Sequence, residues 1–372
     1  MRSATRFALG MALAVVLAIG NSSAFAQGKK PGGGTPTYQV VRLVFPGAAE
    51  RTTWAYDLND RGNVVGEFED AGGSRYGFQY ERATNIYQSL GVDTTASGIN
   101  QLDEIVGTDE IGNVGLYWSS PGAVAVPLWP LAGHTHSRAV ALNDAGIIIG
   151  SSFIPEDAPV TPGFRAVVAW YVNPQGTVSD PVELPYLAAD IAGAATDLTE
   201  AVNGVTTVIG ASGAADSSLP VSWSITVDGD GITVTGPVAF DGVYSLAQPW
   251  NINNSGDAVG RAAFAEGAPG MPFLRRAGQP VLPLPLVSNA YSGSATDIND
   301  AGRIVGGQGV TVKSQGAVTR AILWPTPTTV VDLNNLVSLG RSESLTWSLR
   351  INGAGEILAF INGGTPCLLI PR

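Results

Sequence analysis

One pattern recurs seven times along this chain: a small residue, three variable positions ending in Leu or Ile, then Asn, a turn, two β-formers and Gly. It reads AYDLNDRGNVVG (55–66), ASGINQLDEIVG (96–107), AVALNDAGIIIG (139–150), PWNINNSGDAVG (249–260) and ATDINDAGRIVG (295–306). SLRINGAGEILA (348–359) is a degraded copy, and ATDLTEAVNGVTTVIG (195–210) carries a four-residue insertion in its turn. The anchors Asn59, Asn100, Asn143, Thr199, Asn253, Asn299 and Asn352 follow one another at steps of 41, 43, 56, 54, 46 and 53 residues. Such steps match a propeller blade of roughly 40–50 residues with loop insertions, and are too long for a β-helix coil.

Each copy reads as two strands joined by a tight hairpin. Asn, Asp and Gly tolerate the left-handed conformations of the turn, and the flanking Ile, Val and Leu are β-formers. Gly66, Gly107, Gly150, Gly210, Gly260 and Gly306 close six of the second strands, and Ala359 breaks the rule in the last. A third strand follows, as in VGLYW (114–118), AVVAW (166–170), LPVSW (219–223), MPFLR (271–275) and AILW (321–324). A fourth follows that, as in VPLWPL, PVELPYL, PVLPLPLV and VVDLNNLV, which is the plan of a propeller blade.

The two ends of the pattern are complementary. After Ala359 only PCLLIPR remains, a third strand without a fourth, while Tyr38–Phe45 is a strand without a unit of its own. Pairing them gives an all-β fold, a seven-bladed β-propeller of four-stranded blades closed by the N-terminal strand in the last blade. Closure removes the open faces of a linear array. The small residues Ala55, Ala96, Ala139, Ala195, Pro249, Ala295 and Ser348 mark the innermost strand, where blades converge. Trp118, Trp170, Trp223 and Trp324 belong farther out, in the widening wedge between blades.

Residues 1–26 have the parts of a secretory signal: Arg2 and Arg6, an apolar run from Phe7 to Ile19, and Ala24-Phe25-Ala26 before the expected cut. Residues 27–37 read as a flexible linker, and 38–372 as the propeller. The expectation is a secreted or periplasmic protein with no membrane span once the signal is removed. A formal charge of −11 excludes the clustered cations that nucleic acid requires. The lone Cys367, in an apolar run, has no intramolecular disulfide partner and reads as a buried thiol. No cofactor motif is present, and the chain is expected to be a monomer.

The unit resembles the bacterial extracellular HAF repeat, whose pattern runs Ala-x-Gly-Ile-Asn-Asp-x-Gly-x-Val-Val-Gly and then His-Ala-Phe-Leu-Trp. Residues 295–306 match the first half, and Arg320-Ala321-Ile322-Leu323-Trp324 match the second with Arg for His and Ile for Phe. The resemblance spans nearly all of residues 38–372 and implies an exported repeat module. It assigns no chemistry to any residue.

The short, uniform hairpins fall on one face of the expected ring and the long, varied connections on the other, where function usually sits. Trp54, Trp250 and Trp347 stand at or near the entry to inner strands, offering faces to stack on a sugar or plugs between blades. His134 and His136 occupy the same entry in the third unit, as part of a metal set or as plain loop residues. Asp57, Asp197 and Asp297 share one repeat position with Asn251 and Arg350. They line the channel, either to bind a cation or basic partner or to tie down nearby backbone. Asp228–Gly231 lacks the ligand ladder of a calcium loop and reads as a hairpin turn. No catalytic motif stands out. The leading expectation is a binding module for an extracellular protein or polysaccharide on the long-loop face. The alternative is an extracellular enzyme, a polysaccharide hydrolase or lyase or a lactone-cleaving type, with its site at the channel mouth.

Overall fold

The structure, a computed structural model, describes residues 37–155, 165–188, 190, 192–213, 218–229, 231–242, 244, 246–313 and 316–372. The expected signal and all of the linker but Thr37 lie outside the described residues. The first strand, β1 (Tyr38–Arg42), belongs to the last blade. Blade 1 is β2 (Ala48–Leu58), β3 (Val64–Asp70), β4 (Arg75–Glu81) and β5 (Ile86–Val92). Blade 2 is β6 (Thr94–Ile99), β7 (Ile105–Asp109), β8 (Val114–Trp118) and β9 (Val126–Leu128). Blade 3 is β10 (His136–Leu142), β11 (Ile147–Phe153), β12 (Arg165–Tyr171) and β13 (Val182–Glu183). Blade 4 is β14 (Gly193–Leu198), β15 (Val205–Ser212), β16 (Leu219–Asp228) and β17 (Gly231–Ala239). Blade 5 is β18 (Leu246–Ile252), β19 (Ala258–Ala263), β20 (Met271–Arg275) and β21 (Leu282–Pro283). Blade 6 is β22 (Ala290–Ile298), β23 (Ile304–Val312), β24 (Gly316–Thr326) and β25 (Thr329–Asp332). Blade 7 is β26 (Leu345–Ile351), β27 (Ile357–Ile361) and β28 (Thr365–Pro371), with β1 as its outer strand.

All seven sheets are antiparallel and four-stranded, so the chain is a seven-bladed β-propeller. First strands of consecutive blades touch all around the ring, including β26 against β2, which makes them the inner wall. The closing register runs from Tyr38 opposite Pro371 to Arg42 opposite Cys367. Beyond it, Thr37 donates to the Leu336 carbonyl and Arg372 to the Thr37 carbonyl, both at 3.0 Å. Asp228 pairs with Gly231 in a β16–β17 hairpin.

The repeat residues can now be assigned physical roles. In every blade the inner strand slips register between its small residue and the residue two positions on, as between Ala55 and Asp57. This bulge drives the backbone against the second strand. At Gly306 a Cβ would overlap the Ser294 carbonyl oxygen, and the other five repeat glycines meet the equivalent oxygen in the same way. Only a residue without Cβ fits so close an approach.

The anchor Asn works in two directions. In blade 1 its Oδ1 accepts from the Arg61 and Asn63 amides, which shapes the hairpin. Its Nδ2 crosses to the next blade and donates to the carbonyl of that blade's anchor. Asn59 reaches Asn100 at 2.9 Å, Asn100 reaches Asn143 at 3.3 Å, and Asn143 reaches Thr199 at 2.9 Å. Asn253 reaches Asn299 at 3.2 Å, Asn299 reaches Asn352 at 2.9 Å, and Asn352 reaches Asn59 at 3.1 Å. Thr199, lacking an amide, leaves the one gap in this set.

The following residue builds a second circle in which each side chain accepts the backbone N–H of the preceding blade. Gly353 donates to Asp60, Asp60 to Gln101, Gln101 to Asp144, Asp144 to Glu200, Glu200 to Asn254 and Asn254 to Asp300. It stops at Gly353, which has no side chain to accept from Asp300. Farther out, the Trp170, Trp223 and Trp324 indoles donate back to carbonyls of the preceding blade: Trp129, Pro185 and Pro285. These three rings and Trp118 are fully buried in the wedges. Cys367 is buried too, and burial pushes its thiol up to about 12.

Candidate functional site

Two levels of the axis carry side chains with chemistry. The first is a belt at the bulge of the inner strands. Asp57, Gly98, Ala141, Asp197, Asn251, Asp297 and Arg350 are its seven members by register. The carboxylates there are already engaged. Asp57 Oδ2 accepts from the Ile99 amide and Asp197 Oδ2 from the Ile252 amide, both at 2.9 Å, and Asp297 Oδ2 from Ile351 at 2.6 Å. Asn251 Oδ1 takes the Ile298 amide at 3.3 Å. Each bond ties one blade to the next, so the structure places these residues as backbone ties around the channel. Arg350 lies between them, with Nε 2.9 Å from Asp57 Oδ1.

Electrostatics at the belt follow from its enclosure. Burial pushes the Asp197 carboxyl up to about 8 and that of Asp297 up to about 7, against the opposing pull of backbone amides and Arg350. Burial works against the Arg350 charge, yet Asp57, Asp297 and Asp197 together hold its pKa above the ordinary arginine value. Among the described residues no three His, Cys, Asp or Glu side chains converge as a metal set.

The second level is the mouth on the long-loop face. The residue preceding each small residue stands at this level: Trp54, Thr95, Arg138, Ala194, Gln248, Ser294 and Trp347, of which Thr95 and Ser294 are buried. Trp54 and Trp347 are half-buried. The Trp347 indole lies against Gly307 of blade 6, where any side chain would overlap it. Trp250 is half-buried as well but occupies the bulge of β18, one level deeper than the other two. His134 and His136 are both half-buried at the start of blade 3. His134 Nδ1 sits 2.8 Å from Ser152 Oγ, and His136 Nδ1 sits 2.7 Å from Thr135 Oγ1.

Sequence reasoning passed over two groups at this mouth. Glu67, one residue after the repeat glycine and opposite Trp54, is buried at 4% exposure. Its Oε1 accepts from the Tyr56 hydroxyl at 2.9 Å and faces Arg75 Nη1 at 3.5 Å, while its Oε2 is buried without a partner. Burial raises its pKa against the pull of Arg75 and Tyr56; the Tyr56 phenol is raised too, by burial and then by Glu67. The second group is Arg138, Phe153 and Arg165 beside His136. The available signal was the contrast among repeats: Glu67 is the one acid at a position that holds Thr108, Ser151, Ala211, Arg261, Gly307 and Phe360 in the other units.

No family model matches the chain, and no curated protein matches it in sequence. Its likenesses are to solved structures. Pyrococcus horikoshii acylaminoacyl peptidase superposes with TM-score 0.51 at 8% identity, covering 83% of this chain and 49% of that one. A second acylaminoacyl peptidase structure, in complex with a chloromethyl ketone, gives 0.52 at 7% identity, with 84% and 49% covered. The chain thus spans about half the length of these peptidases. YCF48 bound to D1 peptide gives 0.50 at 9% identity, covering 92% of this chain and 97% of that one. At such identities the likeness shows the fold alone.

Proposed function

We propose that this protein is a secreted or periplasmic propeller of the HAF-repeat kind that binds an extracellular polymer on its long-loop face. A polysaccharide is the preferred partner and a protein the alternative. The observation that carries the reading is the composition of the mouth. Trp54 and Trp347 stand half-buried at equivalent positions of one rim, with one side of the Trp347 indole against Gly307. An indole face suits a sugar ring. The belt carboxylates beneath are spent on bonds between blades, which favours recognition over catalysis there. Fold analogy adds no activity, since propellers carry both binding and catalytic sites.

The test is binding to a panel of soluble polysaccharides, followed by calorimetry with Trp54→Ala and Trp347→Ala. A retained β-sheet spectrum with affinity lowered about tenfold or more in either variant supports the reading. Unchanged affinity in both would remove the rim from it.

The enzyme reading draws on one specific feature, the raised Glu67 carboxyl held against Tyr56. Displaced pKa values of this kind gather at catalytic sites. Release of new chain ends from a polymer, lost in Glu67→Gln, would replace the binding reading with this one.

A further inference from the structure

We infer that the long-loop end of the cleft between blades 3 and 4 is an anion site for the carboxylate of an acidic polysaccharide, with Arg138 and Arg165 as its cations and Phe153 as its floor. The inference rests on the reading that this face binds a polysaccharide, and it names the charge class of that polymer.

Register builds the site. His136 pairs with Phe153 and Phe153 with Arg165, so the three form one row across β10, β11 and β12. Paired residues of a sheet point the same way, and Arg138, two positions beyond His136, joins that side. Val167, one same-side step inward, and Ile149, two steps inward, pack against Ala195 and Val208 of blade 4. The row therefore continues the blade 4 side of blade 3 out to the mouth.

Two observations indicate a missing partner. Both guanidinium groups lie against the Phe153 ring, with Cζ 5.9 Å from the centroid for Arg138 and 5.4 Å for Arg165. Among the described residues neither guanidinium forms an ion pair. Arg138 Nε is buried without a hydrogen-bond partner. Arg275 also has a buried, unpartnered Nε and lies 4.4 Å from the Phe240 centroid, but among the described residues only Phe153 carries two guanidiniums.

Blade 4 presents small residues to this end of the cleft. Between blades 6 and 7 the Trp347 indole fills the corresponding slot over Gly307. Between blades 3 and 4 the equivalent residue is Ala194, preceded by Gly193, so no indole stands over the row; the Tyr186 ring packs beside Gly193 instead. A planar carboxylate matches two guanidinium forks, and the aromatic floor keeps those forks oriented. The rim indoles favour a sugar as the bearer of that carboxylate.

The experiment uses the described chain with two probes: a polyuronate oligomer and the same oligomer with its carboxyls reduced to alcohols. Calorimetry is run on the parent, Arg138→Gln, Arg165→Gln and the double variant, with melting curves to confirm folding. The expected result is at least tenfold weaker binding of the reduced oligomer and about tenfold loss for each single variant. A folding-independent readout is the parent alone, whose polyuronate affinity falls as salt rises from about 0.05 to 0.5 M.

Equal binding of both oligomers, or full affinity in the double variant, overturns the anion site and leaves the polysaccharide reading standing. Binding of neither oligomer, with capture of carboxylate-ended peptides instead, overturns both.

Discussion

Asn352 of blade 7 donates from Nδ2 to the carbonyl oxygen of Asn59 in blade 1 at 3.1 Å, across 293 positions of sequence. The same bond links five other pairs of neighbouring blades, so the seam is made of the same contact as the rest of the inner wall. What differs at the seam is the outer strand, which comes from the opposite end of the chain.

Removing residues 38–45 takes away that strand, the buried Tyr38 and Leu43, and the Arg42–Glu343 ion pair at 2.8 Å. It also bares the edge of β28. We expect the melting temperature to fall by on the order of 10 °C and the shortened chain to self-associate through the open edge. Thermal melts with size-exclusion chromatography measure both; a monomer melting with the parent would contradict closure by this strand.

Gly306→Ala places a methyl group against the Ser294 carbonyl oxygen, and the backbone must give way. The expected cost is about 2–4 kcal/mol in urea unfolding. Gly364→Ala is the control, because no atom lies within 4 Å of its added Cβ. It should stay within about 0.5 kcal/mol of the parent.

Belt acids make stability pH-dependent with a definite sign. Asp197 and Asp297 rise to about 8 and about 7 in the folded state, above an unfolded value of roughly 3.9. The folded chain then holds the extra protons, so their contribution is complete below the unfolded value and is lost as pH rises through 7 and 8. Urea midpoints should decline between pH 5 and pH 9, and Asp197→Asn should flatten the decline. An equal slope in parent and variant would show that this carboxyl does not titrate in that window.

Glu67 follows the same sign, with its folded pKa raised by burial. Its Oε2 has no partner, and the amide of Gln retains an oxygen for the Tyr56 hydroxyl. We expect Glu67→Gln to match or exceed the parent at pH 8 by on the order of 1 kcal/mol, with the advantage shrinking toward pH 4. Destabilisation at pH 8 would show that the Arg75 contact at 3.5 Å outweighs the burial of the charge.

The architecture was legible because each blade repeats the same local problem. Asn for the hairpin, a small residue at the inner wall and glycine at the bulge recur as identities, and the unmatched end strands show where the ring closes. Trp118, Trp170, Trp223 and Trp324 were readable as wedge residues for the same reason. The mouth was harder to read, because Trp54, Arg138 and Trp347 share a register position that also holds Thr95, Ala194, Gln248 and Ser294. Arg138, Phe153 and Arg165 meet only through pairing across three strands, which no fixed spacing reveals. At the belt, residue type did not disclose use: Asp57, Asp197 and Asp297 serve the amides of the next blade, and that partner lies 42 to 55 positions away.

The anchor contact joins a side chain on one blade to a main-chain oxygen on the next, and that asymmetry has an evolutionary meaning. Every amino acid supplies such an oxygen, so a unit can be duplicated, swapped or allowed to drift without a matching change in its neighbour. Thr199 illustrates the tolerance: it gives nothing forward, yet Asn143 still docks on its carbonyl. A lineage built this way can rework its outer loops one unit at a time while the hub keeps its shape.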